Sequence, residues 1–152
     1  MIPEEEIEQE VQNMGYFIAR PRKIIPSFYK LGDGTILKVI VSINHVIQDP
    51  RNPNNFVVNS TNLVSSFVPP NYRTPQASAQ YPPSELNLNP INDDLEFEVL
   101  QENFTTYDFS NRIVISVKPV LAQVIKTRHY TAEGEPIYSV NLNPIIKMKK
   151  QN

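Results

Sequence analysis

The sequence predicts a mainly β fold, at the border of α+β: a single-domain β-sandwich or partly open barrel of long antiparallel hairpins with one short N-terminal helix. Three observations carry this. Ile and Val number 30 and outnumber Leu and Ala more than twofold. β-branched side chains lose rotamer freedom in a helix and suit a pleated sheet. Several segments alternate apolar and polar residues with the period of two that marks a half-buried strand. Between them lie short clusters of Gly, Asp, Asn and Pro, which are turn formers.

The chain has 152 residues, the length of one domain. Leu, Ile, Val and Phe make 46 of them, enough apolar bulk for a core. There is no cysteine, which removes disulfides, thiolate metal sites and a cysteine nucleophile. Only 4 residues are glycine, so no phosphate-cradling loop is present: Gly32-x-Gly34 stops there. No apolar run reaches the ~20 residues of a transmembrane helix. The acidic start, Met1 to Glu10, lacks the basic region of a signal peptide. A soluble, cytoplasmic protein is the expectation.

Residues 3–14 are expected to form the helix. Ile7, Val11 and Met14 fall on one narrow apolar stripe, Pro3 suits the first turn, and Glu4, Glu5 and Glu6 face the positive end of the helix dipole. Gly15 is a natural stop. The stripe needs a surface to dock on, either the sheet or another subunit.

The first hairpin is expected from residues 24–31, the turn Gly32-Asp33-Gly34 and a long strand over 35–47. In that strand Leu37, Val39, Val41, Ile43 and Ile47 alternate against Lys38, Ser42 and Asn44. His45 takes the apolar parity, as a half-buried residue rather than a base. Residues 49–55 read as a turn and 56–68 as a strand. Residues 69–93 hold six prolines and no periodicity, so a proline-rich loop or flexible excursion is expected there.

Residues 95–101 alternate again, 103–111 read as a short aromatic strand and turn, and 112–130 as a long strand bent at Pro119. A turn at 131–135 returns the chain along 136–149. There Tyr138, Val140, Leu142, Ile146 and Met148 share one face. The expected core is Leu37, Val39, Val41, Ile43, Leu95, Phe97, Val99, Ile113, Ile115, Val117, Tyr138, Val140 and Leu142.

The net charge of -2 hides a pattern. Residues 1–14 and 48–111 are acidic, whereas 15–47 and 112–152 are basic. If the two basic hairpins share a sheet, Lys118, Lys126, Arg128, Lys147 and Lys149 are candidates for an anion-binding face. The plainer reading is that these are solvated strand faces, or lysines that protect edges.

Catalytic signals are absent. His45 and His129 are the two histidines, and neither sits in a metal-ligand pattern. No Gly-x-Ser-x-Gly elbow occurs. No catalytic residue, metal or cofactor is assigned. Pro69-Pro70-Asn71-Tyr72 fits the Pro-Pro-x-Tyr pattern that WW-type domains read, because a polyproline segment is already extended when it docks. Its plainer reading is a stiffened loop.

The sequence therefore points first to a non-enzymatic protein-interaction or assembly module, with a protein partner or self-association. Its candidate contacts are Pro69, Pro70, Tyr72 and the helix stripe Ile7, Val11 and Met14. The alternative is nucleic-acid or anionic-surface binding through the basic hairpins. The third is a small-ligand binder or hydrolase.

Overall fold

The computed structural model describes residues 1–52, 54–73, 90–109 and 112–150. Among them are one helix, α1 (Glu4–Asn13), and twelve strands, all antiparallel where paired. None of the described sheets closes into a barrel.

The spine is β4 (Ile36–Gln48), thirteen residues long. One edge of β4 carries β5 (Phe56–Phe67) along its whole length, from Ile36↔Phe67 to Gln48↔Phe56. The other edge is divided between β3 (Ser27–Leu31) and β1 (Tyr16–Ile18). β7 (Phe97–Gln101) adds to β3, giving a five-stranded sheet. The expected Gly32-Asp33-Gly34 turn joins β3 to β4, with Gly34 at φ 91°, a conformation glycine adopts without a Cβ clash.

Two smaller sheets oppose this one. The four-stranded sheet runs β12 (Ile145–Lys150), β9 (Ile113–Lys118), β8 (Thr105–Asp108), β2 (Arg20–Lys23). The three-stranded sheet runs β11 (Pro136–Leu142), β10 (Leu121–Tyr130), β6 (Pro90–Asn92). One ribbon feeds both. β9 gives way to β10 around Pro119, as its missing N–H predicts, and β11 gives way to β12 at Pro144 on the returning limb. The Asn143 N–H donates to the Val120 carbonyl at 2.8 Å and keeps the two limbs together through the crossing.

Each small sheet covers one half of β4, so there are two cores. Val41, Ile43 and Val46 pack with Tyr107, Phe109, Ile113, Ile115 and Val117. Leu37 and Val39 pack with Tyr29, Leu31, Leu95, Leu121 and Val124. Phe97, Tyr138, Val140 and Leu142 pack on the second core from its rim.

Four expectations change. The register slips between Ile43 and His45, a β-bulge that reverses the alternation. Val46 therefore enters the core in place of Ile47, and His45 is half-buried with its ring edge-on to Tyr16 at 5.1 Å. Val99 is 50 % exposed, because β7 is an edge strand with only its first residue, Phe97, under cover. Ile146 and Met148 are also exposed: the break at Pro144 carries β12 beyond the rim that shelters Tyr138 to Leu142. Within the expected 69–93 loop, Pro70–Tyr72 is a turn of 3-10 helix and Pro90–Asn92 pairs with β10. Residues 74–89 of that loop lie outside the described residues. The second exception follows from β6 being an edge strand, where a proline without an N–H is tolerated.

Candidate interaction surfaces

β5 is the most exposed of the long strands. It pairs with β4 alone, so its other edge carries unpaired N–H and C=O groups among the described residues. Open edges are normally blunted by charges, proline, bulges or short length. β5 has twelve residues and contains no charged residue, no proline and no glycine. The uncharged stretch extends from Asn52 to Tyr72. Register with β4 places Val57, Leu63 and Phe67 on the outer face, and they are 59 %, 52 % and 55 % exposed. Ile36 lies opposite Phe67 and Ile40 opposite Leu63, so the outer face beside this edge carries two apolar pairs, alternating with Lys38↔Ser65 and Ser42↔Thr61. Asn44 ties the strand down at the bulge, its amide donating to Asn59 Oδ1 at 2.8 Å and to Thr61 Oγ1 at 2.7 Å.

The main surface depressions follow the same side of the molecule. One of 940 Å³ lies between Asn62 of β5 and Gln123 and Asn141 of the β10–β11 ribbon. One of 550 Å³ lies between Phe56 and Met148. One of 430 Å³ lies between Val64 and Val140. The two layers thus stand apart along β5, and the seam is open. In the first of these the amides already bond one another and the backbone: Asn141 to Gln123 at 3.1 Å, and Gln123 to the Asp93 carbonyl at 2.8 Å. Among the described residues no group of three or more His, Cys, Asp or Glu is gathered for a metal ion.

The Pro-Pro-Asn-Tyr motif is placed differently from the extended form that a groove reader requires. Its Tyr72 N–H donates to the Pro69 carbonyl at 3.0 Å, closing the 3-10 turn. The Tyr72 ring lies 4.5 Å from Lys126 Nζ. Tyr72 thus makes an internal cation–π contact while staying 38 % exposed.

Beneath it lies a polar cluster that the sequence does not reveal. Asp33, in the β3–β4 turn, accepts from Lys126 Nζ of β10 at 2.9 Å and from the Tyr138 hydroxyl of β11. Its other oxygen accepts the Thr35 N–H at 3.0 Å, and Thr35 Oγ1 lies 2.9 Å from the Tyr138 hydroxyl. The Lys126 and Asp33 side chains are only 12 % and 7 % exposed. Burial alone would raise the Asp33 pKa, but the hydrogen bonds from Tyr138, Lys126 and Thr35 outweigh it and hold the carboxyl below its ordinary value. Burial, then Asp33, pushes the Tyr138 hydroxyl up. The cluster fastens the large sheet to the three-stranded one. A comparable tie acts at the ribbon's crossing, where the Tyr29 hydroxyl donates to Glu102 at 2.8 Å and lies 3.1 Å from the Pro119 carbonyl.

The helix stripe finds little cover. Val11 is half-buried, but Ile7 is exposed and Met14 is 71 % exposed. α1 touches β1, and Glu8 of α1 pairs with Arg20.

The five basic candidates divide. Lys118, Lys147 and Lys149 belong to adjacent strands of the four-stranded sheet, and Ile145↔Lys118 and Lys147↔Ser116 put them on one face. Lys126 is consumed in the Asp33 cluster. Arg128 is exposed on β10, in the other small sheet. His129 is half-buried, and its N–H donates to Thr127 Oγ1 at 3.2 Å.

Compared with known proteins, the chain matches no family model, no curated protein and no solved structure. No described helix is long and apolar enough to cross a membrane.

Proposed function

We propose that this chain is a non-enzymatic assembly module that joins a second copy of itself edge to edge through β5. The observation that carries the reading is the twelve-residue open edge without a charge, proline or glycine. An uncharged strand offers no electrostatic feature by which to select a different partner, whereas its own pattern is self-complementary. Two antiparallel copies related by a two-fold axis keep their inner and outer faces continuous when Asn62 stands opposite its own copy. Val57 then stands opposite Phe67 at both ends of the pairing, joining the two most exposed apolar residues of the strand. Aromatic with β-branched is a favourable cross-strand pair. The arrangement extends one five-stranded sheet into ten strands and makes an isologous interface.

The test is sedimentation velocity over a concentration series. The wild-type chain is expected to approach twice 17.4 kDa. In T61K/L63K, like charges fall opposite one another across the two-fold, and the dissociation constant is expected to rise at least about tenfold. A wild-type mass that stays at 17.4 kDa at every concentration refutes the reading.

A further inference from the structure

The outer face of the four-stranded sheet brings together basic residues from the two ends of the chain. β2 and β12 form its opposite edges. The pairings Lys23↔Thr106, Thr106↔Ser116 and Ser116↔Lys147 make one row straight across four strands. Arg20↔Asp108, Asp108↔Val114 and Val114↔Lys149 make another. Each row spans three interstrand spacings, about 14 Å. Thr106 Oγ1 and Ser116 Oγ, 3.0 Å apart, supply hydroxyls at the centre of the first row.

Two of the cations are held in place. Lys118 Nζ lies 5.0 Å and Lys147 Nζ 4.7 Å from the centre of the Phe104 ring. An aromatic anchor of this kind reduces the freedom a lysine loses when it meets an anion. Arg22 is paired with Asp108 at 2.7 Å, and Lys118 is 3.9 Å from Glu102. Among the described residues Lys23, Lys147 and Lys149 form no salt bridge.

We propose that this face binds the phosphodiester backbone of a nucleic-acid strand, without reading its bases. Lys23, Lys147 and Lys149 are exposed, and lone phosphates gain little from hydrated lysines. A chain of phosphates gains at each contact by releasing counterions. Among the described residues of this face no aromatic side chain is offered for base stacking, since Phe104 is capped by ammonium groups, so the contact is to the backbone. A membrane surface is a poorer match: Ile145 is the one exposed apolar side chain among the described strand residues of this face. The acidic helix α1 competes for the same charge. Glu8 already holds Arg20, and Glu4 and Glu5 add to the field on that guanidinium.

Fluorescence anisotropy with a labelled oligothymidylate is the test, using the full chain at low salt. K23Q/K147Q removes one cation from each edge of the sheet. It is expected to weaken binding about tenfold or more and to lower the salt slope by about 1.4, at about 0.7 per phosphate contact on a single strand. K30Q/K38Q, on the large sheet, is the control and is expected to change neither. E4Q/E5Q/E8Q is expected to tighten binding several-fold. T61K/L63K, which tests the β5 pairing, is expected to retain oligonucleotide binding that K23Q/K147Q loses, so the two readings fail separately. The proposal is overturned by no binding at low salt, by equal loss in K30Q/K38Q, or by preference for polyglutamate or phosphatidylserine vesicles over the oligonucleotide.

Discussion

Two long strand edges lie along the open side of this molecule, and they are built in opposite ways. β5 presents twelve residues with nothing to deter pairing. The β11–β12 limb facing it begins at Pro136, breaks at Pro144 and ends in Lys147, Lys149 and Lys150. Its exposed Ile145, Ile146 and Met148 are interspersed with those lysines. The second edge carries the protections expected of an edge that must stay single. The same chain withholds them from the first. Edge protection is thus selective here, and that selectivity is what favours β5 in the proposed pairing.

The guarded limb is also the tethered one. Tyr138 and Lys126 fix the ribbon to Asp33, whereas β5 is hydrogen-bonded into its sheet by β4 alone and packs on the core only through Phe56 and Val58 near its start. Asp33→Asn leaves a half-enclosed Lys126 ammonium without its counter-ion. It is expected to destabilise the fold by about 3 kcal/mol, read as a lower urea midpoint. The pH dependence follows from the depressed carboxyl. Its stabilising contribution is complete above the ordinary value of 3.8 and is lost as pH falls through the lower folded value. Acid titration of the urea midpoint should therefore show a loss below about pH 4 that D33N lacks.

Removing the guards tests the comparison from the other side. K147V/K149V should make β12 as permissive as β5 and strengthen association about tenfold, with assemblies larger than a dimer in light scattering. An unchanged mass would show that charge is not what keeps β12 single. The smallest expected effect is at the lid of the tether. Tyr72→Ala removes one cation–π contact from Lys126 and should cost about 0.5–1 kcal/mol in a thermal melt. Association through β5 should be unaffected.

Local patterns were readable in the sequence, and long-range consequences were not. The alternation of Leu37, Val39, Val41 and Ile43 located the spine, and Gly32-Asp33-Gly34 and Glu133-Gly134 located two hairpin turns. Pro119 announced the bend. The bulge at the end of that alternation falls on a lone Asn44 inside the strand, which the pattern reads as one more polar position, so the exchange of Ile47 for Val46 was invisible. Lys126 looked like a surface cation because its partner, Asp33, is 93 positions away. The open character of β5 was likewise not visible. A strand becomes an edge only through the order of strands in the sheet, and alternation does not encode that order. The same holds for the basic face, which depends on β2 and β12 meeting β8 and β9.

The most direct measurement exploits a chain with no cysteine of its own. Asn62→Cys places a single thiol on the proposed two-fold axis, where opposed Cα atoms about 4.5–5.5 Å apart fall within the range a disulfide spans. Oxidation under non-denaturing conditions should give a covalent dimer of N62C, seen as twice 17.4 kDa without reductant, and the T61K/L63K background should suppress it. Efficient cross-linking that survives those lysines, or none at all in N62C, would contradict pairing through β5.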